Sequence, residues 1–278
     1  MDSDHKFYKQ KQSFNGYVDT RSAPIMVSIG EIMLQTDVVA NHMLRKKTIN
    51  FPNKRKKKRV EALTVWNKRI IFFTLPYWKD HVLRHNLDVM HIEKNVVNNI
   101  IGTLMNLDGK TNDNLKACQN LKDMGIISEF HLEKVGNDQK CMPSVYYHIN
   151  ASKNDGFLHV LKDIRVLDEY SSNISRCIKL KEPKISGMKS HDNHILIQQL
   201  FPIAIRRSLP PKVSRSLIDL SYFFREICSK VLNVEELRAL EKRIIVTLCE
   251  LKMIFHSSFF TMMVHLVMHL LVKPKLLA

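Results

Sequence analysis

Between residues 87 and 104 apolar side chains recur at the period of an α-helix. Val89, Ile92, Val96, Ile100 and Leu104 fall on one stripe, and Asp88, His91, Asn95 and Asn98 gather beside it. Asp88 stands directly before the first periodic position, where a short carboxylate caps a helix N-terminus. The stretch NLDGKTND, residues 106–113, predicts the turn that ends this helix, and NLKACQNLKDMG predicts a second one stopped by Gly125. Upstream, RIIFFTLPYW over residues 69–78 is a short run of β-branched and aromatic residues. It predicts a buried strand ending at Pro76. Looser spacing of Ile29, Ile32, Met33 and Val39 predicts a short helix within residues 28–44.

The pattern weakens between residues 133 and 195. KVGNDQK, NASKNDG and KLKEPKISGMKSHDNH are polar or rich in breakers, with SVYYHI and FLHVL as candidate strands between them. An insertion or linker is expected here. From residue 193 onward the period is helical again. HILIQQLFPIAIRRSLPPK predicts one helix, or two interrupted at Pro202. The next segment places Val213, Leu217, Leu220, Phe224, Ile227 and Val231 on one face. Asn233, with Glu236 three residues on, predicts the cap of a further helix. Residues 253–272 contain no Asp, Glu, Lys or Arg and are long enough to cross a bilayer, but three His and two Ser favour a buried helix.

Composition adds one strong constraint. The 278 residues carry 43 Lys and Arg against 27 Asp and Glu, a net charge of +16, which favours a polyanionic partner. A hydrophobic content of 45% suffices for one or two cores. Five cysteines, an odd number without a CxxC pair, argue against a disulfide scaffold or a zinc knuckle and for reduced thiols. The N-terminal residues lack the apolar run of a signal peptide. The charge is concentrated in RKKTINFPNKRKKKR, residues 45–59: Arg45, Lys46, Lys47, Lys54, Arg55, Lys56, Lys57, Lys58 and Arg59, with no acidic residue among them. Two basic clusters around a short spacer suit nuclear import, a phosphate backbone, or a solvated linker.

Candidate chemistry is sparse. Asp88 and His91 lie one helical turn apart, where a carboxylate can orient an imidazole or simply cap the helix; Glu93 and Lys94 are expected on the surface. His81 and His85, and His265 and His269, are four apart, a spacing that binds zinc when further ligands approach, but no HExxH accompanies them. Asp192, between His191 and His194, is placed to cap. Glu226 precedes Lys230 by four residues, the spacing of a surface ion pair. The phosphate-binding, dinucleotide-binding and GxSxG motifs are absent, so kinase, dinucleotide and esterase classes have no support.

Three long stretches carry a resemblance. LPYWKDHVLRHNLDVMHIEKNVVNNIIGTLMNLDGKTNDNLKACQNLKDMGI resembles plant CACTA-type (En/Spm-type) transposases. So does GMKSHDNHILIQQLFPIAIRRSLPPKVSRSLIDLSYFFREICSKVL, continuing into IIVTLCELKMIFHSSFFTMMVHLVMHLL, which is similar to a plant domain of unknown function that follows the transposase core. The resemblance covers roughly residues 20–272. It implies a metal-dependent DNA transposase with an RNase H-like fold, in which three acids hold two Mg2+ or Mn2+ ions for attack on a phosphodiester. Asp88 and His91 match its D-x-x-H signature, and Glu226 or Glu250 is the counterpart of the last acid. Asp19 and Asp37 stand in the wrong context to supply the two upstream acids.

These readings give a mostly α fold with a few strands, a partial RNase H-like core followed by a helical region, and an incomplete chain. The expected layout is an N-terminal segment with a basic linker over 1–60, a remnant of the transposase core over 61–132, an irregular linker over 133–188 and a truncated helical domain over 189–278. The expected function is that of a transposon-derived, catalytically inactive protein that binds DNA in the nucleus, needs no cofactor by itself and spans no membrane. The alternatives are a piece of an active transposase, or a non-enzymatic module pairing with itself or with a related transposase.

Overall fold

A computed structural model describes residues 29–37, 71–80, 87–107, 109–111, 113–125, 127–135, 139–143, 145–149, 151–164 and 174–271. The basic run 45–59, the pair His81 and His85, and Asp19 lie outside them. The chain divides into a unit of residues 18–86 and a unit of residues 1–17 with 87–278.

In the smaller unit, α1 spans Ile29–Asp37. The strand expected at 69–78 is not formed. Ile71–Thr74 and Trp78–Asp80 are single 3-10 turns instead. Pro76 explains the second: it follows Leu75, whose carbonyl accepts from the Trp78 amide at 3.1 Å, and proline's fixed φ suits the second position of such a turn. Phe73 and Trp78 then pack with ring centroids 6.1 Å apart.

The larger unit is built around α2, Val89–Leu104. Ten of its sixteen residues are buried, so it is covered on more than the one stripe its sequence shows. The chain turns at Asn106 and Gly109, which have φ of 47° and 71°. The Leu104 carbonyl, free at the helix end, accepts from the Ile149 amide at 2.8 Å. Helix α3, Leu115–Met124, starts where the Asn114 side chain accepts from the Ala117 amide, and Gly125 closes it, as expected, in the left-handed region at φ 68°.

Strands β1 (Glu133–Val135) and β2 (Gln139–Cys141) pair antiparallel, as do β3 (Ile178–Lys179) and β4 (Lys184–Ile185). Among the described residues no RNase H-like sheet is evident: the strands form two separate two-stranded ladders, and the fold is mostly helical. The candidate strand FLHVL lies inside helix α4, Ala151–Asp163, because Phe157, Leu158 and Leu161 share a helical face and all three are buried. Of SVYYHI, residues 145–149 are a turn that buries Tyr147 and Ile149.

Helix α5 (Ser190–Ile195), a π-helical turn (Leu196–Leu200) and α6 (Phe201–Ile205) follow without a break. Pro202 accounts for the widened turn. It cannot donate to the Gln198 carbonyl, and its ring needs room that an α-turn lacks. Helix α7, Pro211–Ile227, begins on a proline at its first position and buries Val213, Leu217, Leu220, Phe224 and Ile227 as expected. Val231 departs from that face: the helix has already ended, and the residue is 82% exposed. Asn233 caps α8, Val234–Ile254, by accepting from the Glu235 amide.

Residues 253–272 do not form one buried helix. Among the described residues, 253 and 254 end α8, and the rest break into a 3-10 turn at Ser257–Phe259, α9 at Met262–Leu266 and a 3-10 turn at Val267–His269. His256 starts the first of these by accepting from the Ser258 amide, and Thr261 resets the chain before α9. No helix of the described residues is long and apolar enough to cross a membrane. One apolar cluster runs through the unit from Ile92 to Leu271, joining α2, α4 to α8 and this C-terminal segment.

Candidate functional site

Asp88 acts on the backbone of α2. Its Oδ1 accepts from the His91 amide at 3.1 Å, while the exposed His91 imidazole is not what the carboxylate holds. Replacing Asp88 with alanine is expected to lower stability by about 1 kcal/mol, and with asparagine by much less. Urea unfolding of the two variants checks this, and equal losses would point to the charge rather than the cap.

The other acids suggested by the resemblance are apart from that cap. Glu226 is 53% exposed and meets Arg225, not Lys230, at 3.7 Å. Glu250 accepts from the Ser216 hydroxyl at 2.8 Å across the packed pair α7 and α8. Beside it, burial raises the Asp219 carboxyl, and Glu250 adds to this while Arg243 and Arg215 oppose it. Among the described residues Asp88, His91, Glu226 and Glu250 do not meet in one group of metal-donor atoms. Asp192 is the first-turn acid of α5, accepting from the Lys189 amide at 2.8 Å. His265 and His269 bring their Nε2 atoms to 3.1 Å on the surface.

The group that does form was not visible in the spacing. Glu93, expected on the surface, is fully buried. Its position explains this: Val97, Ile100, Ile101 and Leu104 follow at four, seven, eight and eleven residues, so Val97 and Ile101 widen the apolar stripe to the side that α5 covers. Glu93 Oε2 lies 2.6 Å from His194 Nδ1, and Oε1 accepts from Gln198 Nε2 at 2.8 Å. Gln198 also donates to the Phe224 carbonyl at 3.3 Å, which ties the π-turn to the last turn of α7. Directly after α7 comes Cys228. A carboxylate oxygen of Glu93, a ring nitrogen of His194 and the Cys228 sulfur all lie within 4.8 Å of one another.

The electrostatics follow from burial. Burial raises the Glu93 carboxyl above its ordinary value; hydrogen bonds from Gln198 and His194 pull it down, and Asp88 pushes it up. The Cys228 residue reaches solvent, yet its thiol is enclosed enough that burial, with the Glu93 carboxylate, pushes it up to about 11. A carboxylate, an imidazole and a thiol thus converge, with Gln198 touching the group.

A second buried polar cluster joins three loops. Asp113 accepts from Tyr147 Oη at 2.7 Å and from the Ser258 hydroxyl. His256 Nδ1 lies 2.7 Å from Ser258 Oγ and 3.7 Å from Asp113. Burial lowers both His148 and His256, outweighing the nearby Asp113 carboxylate, so both rings are held neutral. The order of contacts, with serine on the aspartate, does not prepare a nucleophile.

Residues 227–278 match the family described as a domain of unknown function (DUF4218), which is found in transposon-associated proteins. No curated protein and no solved structure is matched by the chain.

Proposed function

We propose that the protein is a transposon-derived DNA-binding protein of CACTA-type ancestry that acts in the nucleus and does not cut or join DNA by itself. The observation that carries the transposon-derived origin is the domain match at 227–278. The net charge of +16 supports a polyanion as partner. The use of the acids matched by the resemblance supports the absence of strand transfer. Asp88 caps a helix, Glu226 is a surface ion-pair residue and Glu250 serves a helix–helix contact. A two-metal phosphodiester site needs several carboxylates on one pair of ions. The described donor group contains a single one, Glu93.

The test is salt-dependent binding to duplex DNA, comparing the chain with a variant in which Arg45, Lys46, Lys47 and Lys54 to Arg59 are all replaced by glutamine. Binding should weaken for every sequence. The slope of log affinity against log salt should become shallower by about 0.9 for each phosphate that is no longer neutralised. Equal affinity and equal slope would remove the basic run from the interface. Metal-dependent nicking by the chain alone would overturn the non-catalytic part.

A further inference from the structure

We propose that Glu93, His194 and Cys228 bind one divalent transition-metal ion of the zinc type. The site does not rest on DNA binding and is not the two-metal site of a transposase. Its donor set is one carboxylate oxygen, one imidazole nitrogen and one thiolate, all within 4.8 Å. Thiolate and imidazole together select zinc-like ions over Mg2+ or Ca2+, which take oxygen ligands.

Tetrahedral zinc bonds place these donors about 3.3–3.6 Å apart. The present contact of 2.6 Å between Glu93 and His194 is the length of a shared proton, so it opens by roughly 0.7 Å when an ion replaces that proton. The Cys228 sulfur closes in by side-chain rotation. It lies on the cap of α7, where the Cys228 amide donates hydrogen bonds to the Phe224 and Glu226 carbonyls. The exposed side of Cys228 provides the entry path and a fourth position for water.

Two features suit an ion at this site. Glu93 is completely buried, yet its partners are an imidazole and an amide, without a Lys or Arg to balance a carboxylate. One carboxylate and one thiolate neutralise a divalent cation in full. Gln198 is in place as a positioning residue: it holds Oε1 of Glu93 and leaves Oε2 for the ion. The ligands come from α2, α5 and the end of α7, so the ion clamps the start of the 227–278 segment to helices outside it.

The full chain, reduced and stripped with a chelator, is titrated with Zn2+ against a competing chelator, and with Co2+ as a coloured substitute. One equivalent should bind, with a thiolate-to-cobalt charge-transfer band. Cys228→Ser should abolish the band and weaken Zn2+ binding by at least about tenfold, and Glu93→Gln should weaken it similarly. Cys228 is exposed, so its variant remains folded if Glu93→Gln does not. Gln198→Leu should weaken binding while keeping the band. His265→Ala should change neither, since His265 and His269 form a separate surface pair. Binding lost with His265 but kept without Cys228 means an adventitious ion only. That result, or no bound equivalent, overturns the proposal.

Discussion

Gly102→Ala is expected to destabilise the protein by about 2–3 kcal/mol, although alanine is the better helix former. Gly102 is buried in the last turn of α2. A methyl group there would come within 2.6 Å of the Lys110 carbonyl oxygen and 2.9 Å of its carbon. Both are backbone atoms and cannot rotate away. The segment is fixed by bonds from the Lys110 and Thr111 amides to the Leu107 carbonyl, each 3.0 Å, and by Leu107 donating to Gly102 itself at 2.9 Å. The helical preference for alanine, about 1 kcal/mol, is therefore outweighed by overpacking. Gly156, in α4, is the control: nothing lies within 4 Å of an added methyl group, so Gly156→Ala should stabilise by about 0.5–1 kcal/mol. Urea unfolding of both variants decides it. Equal effects of the same sign would show that propensity, not the approach of Lys110, governs Gly102.

Local signals in the sequence located what local chemistry determines. Asp88 and Asn233 each cap the helix they were expected to start, and Gly125 ends α3 as expected, because a cap needs only its own next few residues. The buried face of α7 was legible for the same reason, up to the point where the helix stops before Val231. Short apolar runs were not. Residues 69–78 and 157–161 have strand-like composition, but a strand needs a partner, and here Pro76 makes a turn and Leu158 and Leu161 find a helical core. Residues 253–272 lack charge, yet His256 and Thr261 restart the backbone inside the run.

The candidate site was the least legible part. A glutamate on an amphipathic helix is ordinarily at the surface. Only its alignment with Val97, Ile100, Ile101 and Leu104 marks Glu93 as inward. Its partner His194 is 101 residues away and depends on the packing of α5 against α2. Cys228 has no CxxC neighbour to announce it. The acids favoured by the resemblance were easier to find, and the structure uses them for capping, a surface ion pair and a helix contact.

Asp113→Ala should cost about 2–3 kcal/mol, since it leaves the buried Tyr147 Oη and the half-buried Ser258 Oγ without the acceptor they share. Asp113→Asn retains one amide oxygen and should lose less. The knot spans the loop after α2, the turn at 145–148 and the segment after α8, so its loss loosens three connections together. It also sets an acid limit. His148 and His256 have values below the ordinary 6.5 because burial disfavours the charged rings. The Nε2 atom of each is buried without a hydrogen-bond partner, so neither ring is satisfied on both nitrogens. The unfolded chain therefore takes up protons first, and stability falls as pH drops below about 6.5 toward the folded values. Asp113 opposes burial at both rings, so its removal should hold them neutral to still lower pH and lengthen this acid decline. Urea midpoints between pH 8 and pH 5 measure both effects. An Asp113→Ala midpoint equal to the parent's across that range would show that the knot holds nothing together.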